Sequence, residues 1–122
     1  MNTKIVVAAL TGAVLCSSSL TYAGEPLSNV NVAAQHTPGG SLEHQATTND
    51  SGEFTLTGLK AGVYILHFSG KALIAYYDNL GADLSVTLDG KVAPITCSIL
   101  WGDCRTKPIS LSGTHKGKLS LR

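Results

Sequence analysis

Charge is scarce in this chain, and neither sign dominates. Only 14% of the 122 residues are charged, nine Lys and Arg against eight Asp and Glu. Sequence-independent nucleic-acid binding needs an excess of positive charge to displace counterions, so no nucleic-acid partner is expected. Beyond residue 23 no apolar run approaches the roughly 20 residues that a membrane helix needs. Helical periodicity is missing too. No stretch after Ala23 repeats its apolar residues at helical spacing for three turns. The usual contexts of chemistry are also absent. No serine sits in a G-x-S-x-G elbow, no phosphate loop is present, and no carboxylates pair at an informative spacing. At 43% apolar residues and low charge, the chain is not a disordered tail either.

What is present begins with a leader. Lys4 gives a basic start, and Ile5 to Leu15 is apolar apart from Thr11 and Gly12. Thr21-Tyr22-Ala23 then places small residues three and one positions before a cut. Residues 1–23 are expected to be a secretory signal peptide, which makes the protein periplasmic or secreted. Residues 24–122 are expected to form one domain, and 99 residues is an ordinary size for a single core. A lipoprotein leader with Cys16 lipidated is the alternative. Leu15 stands where a lipobox needs a small residue, which argues against it. Cleavage after Ala23 removes Cys16 and leaves Cys97 and Cys104. An even pair in an exported chain reads as a disulfide. Closing so short a loop stabilises the fold by about 2.5 kcal/mol. The spacing is not C-x-x-C, and a zinc site would need two further ligands.

Several stretches alternate with the period of a strand: Val30-Asn31-Val32, Phe54 to Thr57, Leu84 to Leu88 and Leu119 to Leu121. Val63 to Phe68 is apolar nearly throughout and predicts a central strand covered on both faces. Turn chemistry separates these runs. Pro38-Gly39-Gly40 separates the first two runs, Asn49-Asp50-Ser51-Gly52 and Asp89-Gly90 are hairpin signals, and Gly113 to Gly117 is expected to be another hairpin tip. The pattern predicts an all-β fold, a single antiparallel β-sandwich of about seven strands. A small barrel shares the same alternation. Lys71 to Leu80 fits either a strand or a short helical turn.

One stretch carries more than periodicity. Thr48-Asn49-Asp50-Ser51-Gly52-Glu53-Phe54-Thr55-Leu56-Thr57-Gly58-Leu59-Lys60-Ala61-Gly62-Val63-Tyr64-Ile65-Leu66 follows the pattern T-[ND]-x-x-G-x-F-x-[LI]-x-x-L-x-x-G-x-Y-x-[LV]. With it, Asn31 to Ser69 resembles the carboxypeptidase-regulatory-like family, within the transthyretin-like and Cna-B-like sandwiches. The resemblance implies a prealbumin-like or Ig-like Greek key. Phe54 and Leu56 then point inward, Leu59 plugs the core beneath a turn at Ala61-Gly62, and Tyr64, Leu66 and Phe68 share one face. These are packing roles and imply no chemistry. Hydroxyisourate hydrolases of this fold end in Tyr-Arg-Gly-Ser, whereas this chain ends Lys118-Leu119-Ser120-Leu121-Arg122. Cna-B isopeptide bonds need a lysine in the first strand, and Ser28 to Gln35 has none. From Lys71 onward the chain departs from the pattern, and the cysteine pair is no part of it.

His36 and His44 flank the Thr37-Pro38-Gly39-Gly40 loop. Two imidazoles can begin a Zn²⁺ or Cu²⁺ site, but two ligands are too few unless Glu43 or another chain adds more. The plainer reading is a pair of solvated loop histidines, and no metal or cofactor is expected. His67 lies opposite in phase to Leu66 and Phe68, on the outer face, with no partner evident in the sequence. Trp101, beside Ile99 and Leu100, lies within the cysteine loop, and Tyr76 and Tyr77 lie in the ambiguous segment. Trp101 either docks on a partner or folds back over the end of the sandwich. The expectation is a non-enzymatic, exported module that binds another macromolecule, at the bacterial cell envelope or outside the cell. Strand edges and the Ile99-Leu100-Trp101 loop are its contacts. The alternative is a carbohydrate-binding module with Trp101, Tyr76 and Tyr77 as its platform. Neither reading involves membrane insertion once the leader is removed.

Overall fold

A computed structural model describes residues 24–122, and the expected leader at 1–23 lies outside the described residues. In chain order the elements are β1 (Asn31–His36), β2 (Leu42–Thr47), β3 (Glu53–Ser69), a 3-10 helix (Lys71–Asn79), β4 (Leu84–Leu88), β5 (Lys91–Val92), β6 (Ile95–Ser98), β7 (Asp103–Thr106) and β8 (Ile109–Leu121). Pairing follows the order β2-β1-β3-β8-β4-β5, with β7 also beside β3 and β6 beside β7. Every pair is antiparallel. Among the described residues β2 and β5 do not pair with each other, so the ladder stays open and the barrel alternative falls.

The sandwich arises from one bent strand. β3 runs for 17 residues. Along a straight strand, Phe54 and Phe68 would stand about 45 Å apart. Their ring centroids are 5.6 Å apart, edge to face. The strand therefore doubles back and contributes one arm to each layer. Its first arm pairs with β8 from Glu53 to Leu56. Its second arm pairs with β8 from Gly62 to Tyr64 and with β1 and β7. The corner lies between Leu56 and Gly62, where the register with β8 slips twice and Gly58 takes a φ of 71°. Such bulges sharpen a strand's bend. Across the corner the Tyr64 hydroxyl donates to the Lys60 carbonyl at 2.7 Å. The turn expected at Ala61-Gly62 is thus a corner within one continuously paired strand.

The core closes inside this fold. Phe54, Leu56, Leu59, Tyr64, Leu66 and Phe68 of β3 meet Val32 and Ala34 of β1, Leu84, Val86 and Leu88 of β4, and Leu119 of β8, all buried. Leu66 and Phe68 are covered on the inner face and His67 on the outer one, as a central strand requires, while Val63 at the corner is exposed.

Two turn expectations need correction. The chain does not turn at Gly113–Gly117; β8 continues through it. Gly113, at a φ of 83°, stands opposite Leu59 at the corner. Gly117 stands opposite Phe54, whose ring occupies the space a Cβ would need. An aromatic ring laid over a cross-strand glycine supplies the packing that the glycine lacks. Asn49–Gly52 does turn, with the Asn49 side-chain oxygen accepting the Ser51 and Glu53 N–H groups at 2.9 and 3.0 Å. It makes no hairpin, because β1 lies between β2 and β3. The connection instead carries the chain from one layer to the other.

The remaining connections follow local chemistry. Asp89 and Gly90, at φ 53° and 82°, form a two-residue turn that matches strand twist and joins β4 to β5. Lys71–Asn79 resolves as helical turns, anchored by buried Leu73 and Tyr77. Leu80 and Gly81, both at positive φ, end it.

Replacing Gly117 with alanine should cost about 1–3 kcal/mol, because the new methyl meets the Phe54 ring. Urea denaturation of Gly117→Ala, Phe54→Leu and the double variant should show coupling above about 0.5 kcal/mol. Strict additivity would contradict this packing. A second prediction concerns acid. The Asp89 carboxylate meets His115 Nδ1 at 2.6 Å and accepts the Lys116 N–H at 3.2 Å. The His115 hydrogen bond, more than any other contact, holds the Asp89 carboxyl below its ordinary value. A lowered carboxylate stabilises the fold above its unfolded pKa and loses that contribution as pH falls through the folded one. Asp89→Asn should therefore flatten the acid limb of stability below about pH 4. Denaturation measured across pH 2–7 checks this.

Candidate interaction surface

β6 and β7 form a hairpin clamped across its middle. Cys97 and Cys104 are direct cross-strand partners joined by a buried disulfide. Beyond it, Ser98 organises the tip. Its carbonyl accepts the Trp101 and Gly102 N–H groups at 3.2 and 3.0 Å. Its hydroxyl accepts the Leu100 N–H at 3.2 Å. Gly102, at a φ of 71°, returns the chain to β7. With three of its N–H groups bonded to Ser98, the tip presents its apolar side chains to solvent. Leu100 is 96% exposed, Ile99 66% and Trp101 46%. Trp101 does not fold back over the end of the sandwich; the Arg105 guanidinium lies 4.4 Å from its ring centroid.

Behind Trp101 a polar chain crosses the outer face of three strands. Arg105 Nε donates to Asp103 Oδ1 at 2.9 Å. Asp103 Oδ2 meets His67 Nδ1 at 3.2 Å. His67 Nε2 meets Gln35 Oε1 at 2.8 Å, and Gln35 Nε2 donates to the Gly40 carbonyl at 2.8 Å. The chain thus joins the hairpin tip on β7, through β3, to β1 and its turn. His67 therefore has the partner that sequence reasoning missed. Asp103 and Arg105 flank the inward Cys104, so strand phase alone puts them on the outer face. Their pairing with a strand 36 residues away left no local signal. Both ring nitrogens of His67 are engaged, and no hydroxyl is among their partners.

The other expected residues fall elsewhere. His36 packs against Tyr64 with centroids 5.0 Å apart and the rings tilted by 56°. His44 sits in the β1–β2 bulge at a φ of 50°, and its Nδ1 donates to the Thr57 carbonyl at 3.1 Å. Both line one hollow with Glu43 and Tyr64. Among the described residues no three His, Cys, Asp or Glu side chains converge as a metal site. Tyr77 is not among the exposed aromatics. It is 9% exposed, packed into the core one turn from Leu73, and its hydroxyl accepts the Gly70 N–H at 3.4 Å. Tyr76 is half-buried against the core.

Removing the clamp with Cys97→Ala and Cys104→Ala together should cost about 2.5 kcal/mol in denaturation. Amide exchange should speed up through the Ile99–Gly102 tip more than at β4. Unchanged exchange there would mean that the tip's own hydrogen bonds suffice.

The family described as the carboxypeptidase regulatory-like domain matches residues 18–90. The match takes in β1 to β4 and both arms of β3, and it stops at the Asp89-Gly90 turn, short of the disulfide hairpin. No curated protein and no solved structure matches the chain. The family is in general non-catalytic. Over more than half its length, including the corner on which its core is built, the chain belongs to the carboxypeptidase regulatory-like domain family.

Proposed function

We propose that this protein is an exported, non-enzymatic sandwich module that docks on another protein, at the cell envelope or outside the cell. Its contact is the Ile99-Leu100-Trp101 tip. The observation that carries the reading is that tip: three consecutive apolar side chains held in solvent by a disulfide and by hydrogen bonds to Ser98. Ordering them in advance lowers the entropic cost of association. Tryptophan backed by arginine is the composition of a binding hot spot. A buried cystine supports an oxidising compartment. Non-enzymatic character draws support from the family and from the two His–Asp pairs, whose histidine nitrogens are all committed within the fold. The carbohydrate reading keeps Trp101 but loses Tyr77 to the core.

Leu100→Asp is the decisive variant, because Leu100 makes no packing contribution that its loss would expose. Protein lacking residues 1–23 should capture a protein partner from its own envelope fraction. Leu100→Asp and Trp101→Ala should each weaken that capture about thirtyfold at an unchanged melting temperature. Capture indifferent to both substitutions overturns the proposal. Glycan-array binding abolished by Trp101→Ala would transfer the tip to the carbohydrate reading.

A further inference from the structure

At the base of the same hairpin, opposite the tip, lies a groove of 410 Å³ between β5 and the β7–β8 connection. Ala93, Pro94, Pro108, Ile109 and Leu111 give it apolar walls, and Lys91 and Lys107 stand at its margin. Neither lysine is in an ion pair among the described residues. The one carboxylate in the lining, Asp89, is occupied by His115 and by the Lys116 N–H.

The backbone adds a direction. Lys91 pairs with Leu88 across the turn, and the Ala93 N–H donates to the Val86 carbonyl at 2.8 Å. Successive residues of an antiparallel strand point their polar groups to alternate sides. The N–H and C=O of Val92 therefore face away from β4, at the open edge, and its side chain is 73% exposed. Pro94 has no N–H, so the edge offers one residue's worth of pairing and no more.

We infer that this groove binds the C-terminal end of an extended peptide with an apolar last residue. One exposed donor–acceptor pair suits one residue of main chain, which separates a peptide from a lipid chain. The proline stop suits a chain end better than a strand running through. Lys107 and Lys91, neither in an ion pair though Lys91 also lies in the field of Asp89, stand beside apolar walls and suit a terminal carboxylate next to an apolar side chain. The site is separate from the tip and does not depend on the tip's role.

The test uses protein lacking residues 1–23 and one probe, the N-acetylated pentapeptide acid of glycine, serine, alanine, valine and leucine in that order. Titration should move the amide resonances of Val92, Ala93, Lys107 and Ile109 saturably. The amidated peptide, and the Lys91→Ala, Lys107→Ala double variant at unchanged melting temperature, should each bind at least about fivefold more weakly. Leu100→Asp should leave the titration unchanged. No movement at millimolar peptide overturns the inference, as does equal binding of the amidated form. Octanoate moving the same amides as tightly as the peptide would make the site one for lipid chains. Self-association through these residues without peptide binding would make it a contact between copies. Either result overturns the peptide assignment.

Discussion

The fold depends on the contact between Phe54 and Phe68, two rings of one strand brought edge to face by the corner between them. Neither layer of the sandwich is independent of it, because β3 supplies an arm to each. Glycine makes the corner possible at chosen points. Gly58 and Gly113 take positive φ where the β3–β8 register slips. Gly62 lies under the His36 imidazole, which in turn packs at a tilt against Tyr64, so a side chain at Gly62 would displace that ring. Gly117 yields its place to Phe54. Aromatic rings on bare backbone let two bent strands approach closely enough to bury a core of this size in so short a chain.

The second organising feature is on the outside. His67 is nearly buried on the outer face of its strand, where an unpaired imidazole would be costly. Gln35 from β1 and Asp103 from β7 each bring a side-chain oxygen to one of its ring nitrogens, and the Gly40 carbonyl orients Gln35. Members of such a chain polarise one another and gain more together than singly. It fastens β7, otherwise a short strand near the edge, to the two strands at the centre of its layer. The arginine at the far end, stacked on Trp101, extends that order to the tip. The apolar tip is therefore tethered in two ways, by the disulfide within the hairpin and by the polar chain beneath it.

Much of this was legible in the residues, and the failures have physical reasons. Period-two alternation located the strands, and the Asp89-Gly90 turn follows from two residues that tolerate positive φ. The Phe54, Leu56, Leu59 and Tyr64 roles came with the family pattern. Glycine proved ambiguous: Gly113 and Gly117 serve a bulge and an aromatic contact, and their sequence cannot distinguish these from a turn. Lys71–Asn79 was ambiguous because its apolar residues suit a strand, and only burial of Leu73 and Tyr77 against the layers selects helical turns. The cysteine pair was legible from its parity. The His67–Asp103 contact was not, since it depends on pairing between distant strands that no local pattern encodes. The groove beside Val92 is likewise a product of topology.

The family match stops at Gly90, yet the tip and nearly all of the groove come from residues beyond it. Membership thus accounts for the bent strand and its half of the core, and the proposed contacts rest on what this chain adds to them. The addition is economical. A hairpin of two four-residue strands carries an apolar tip at one end and borders a peptide-sized groove at the other. The two ends are about 13 Å apart along the strands, joined through a cross-strand disulfide that resists shear. That separation lets a partner seated on Leu100 and Trp101 coexist with a chain end held at Val92 and Lys107, because neither occupies the other's residues. A single partner that used both would gain from the fixed spacing, since the second contact would form within an existing complex at high effective concentration.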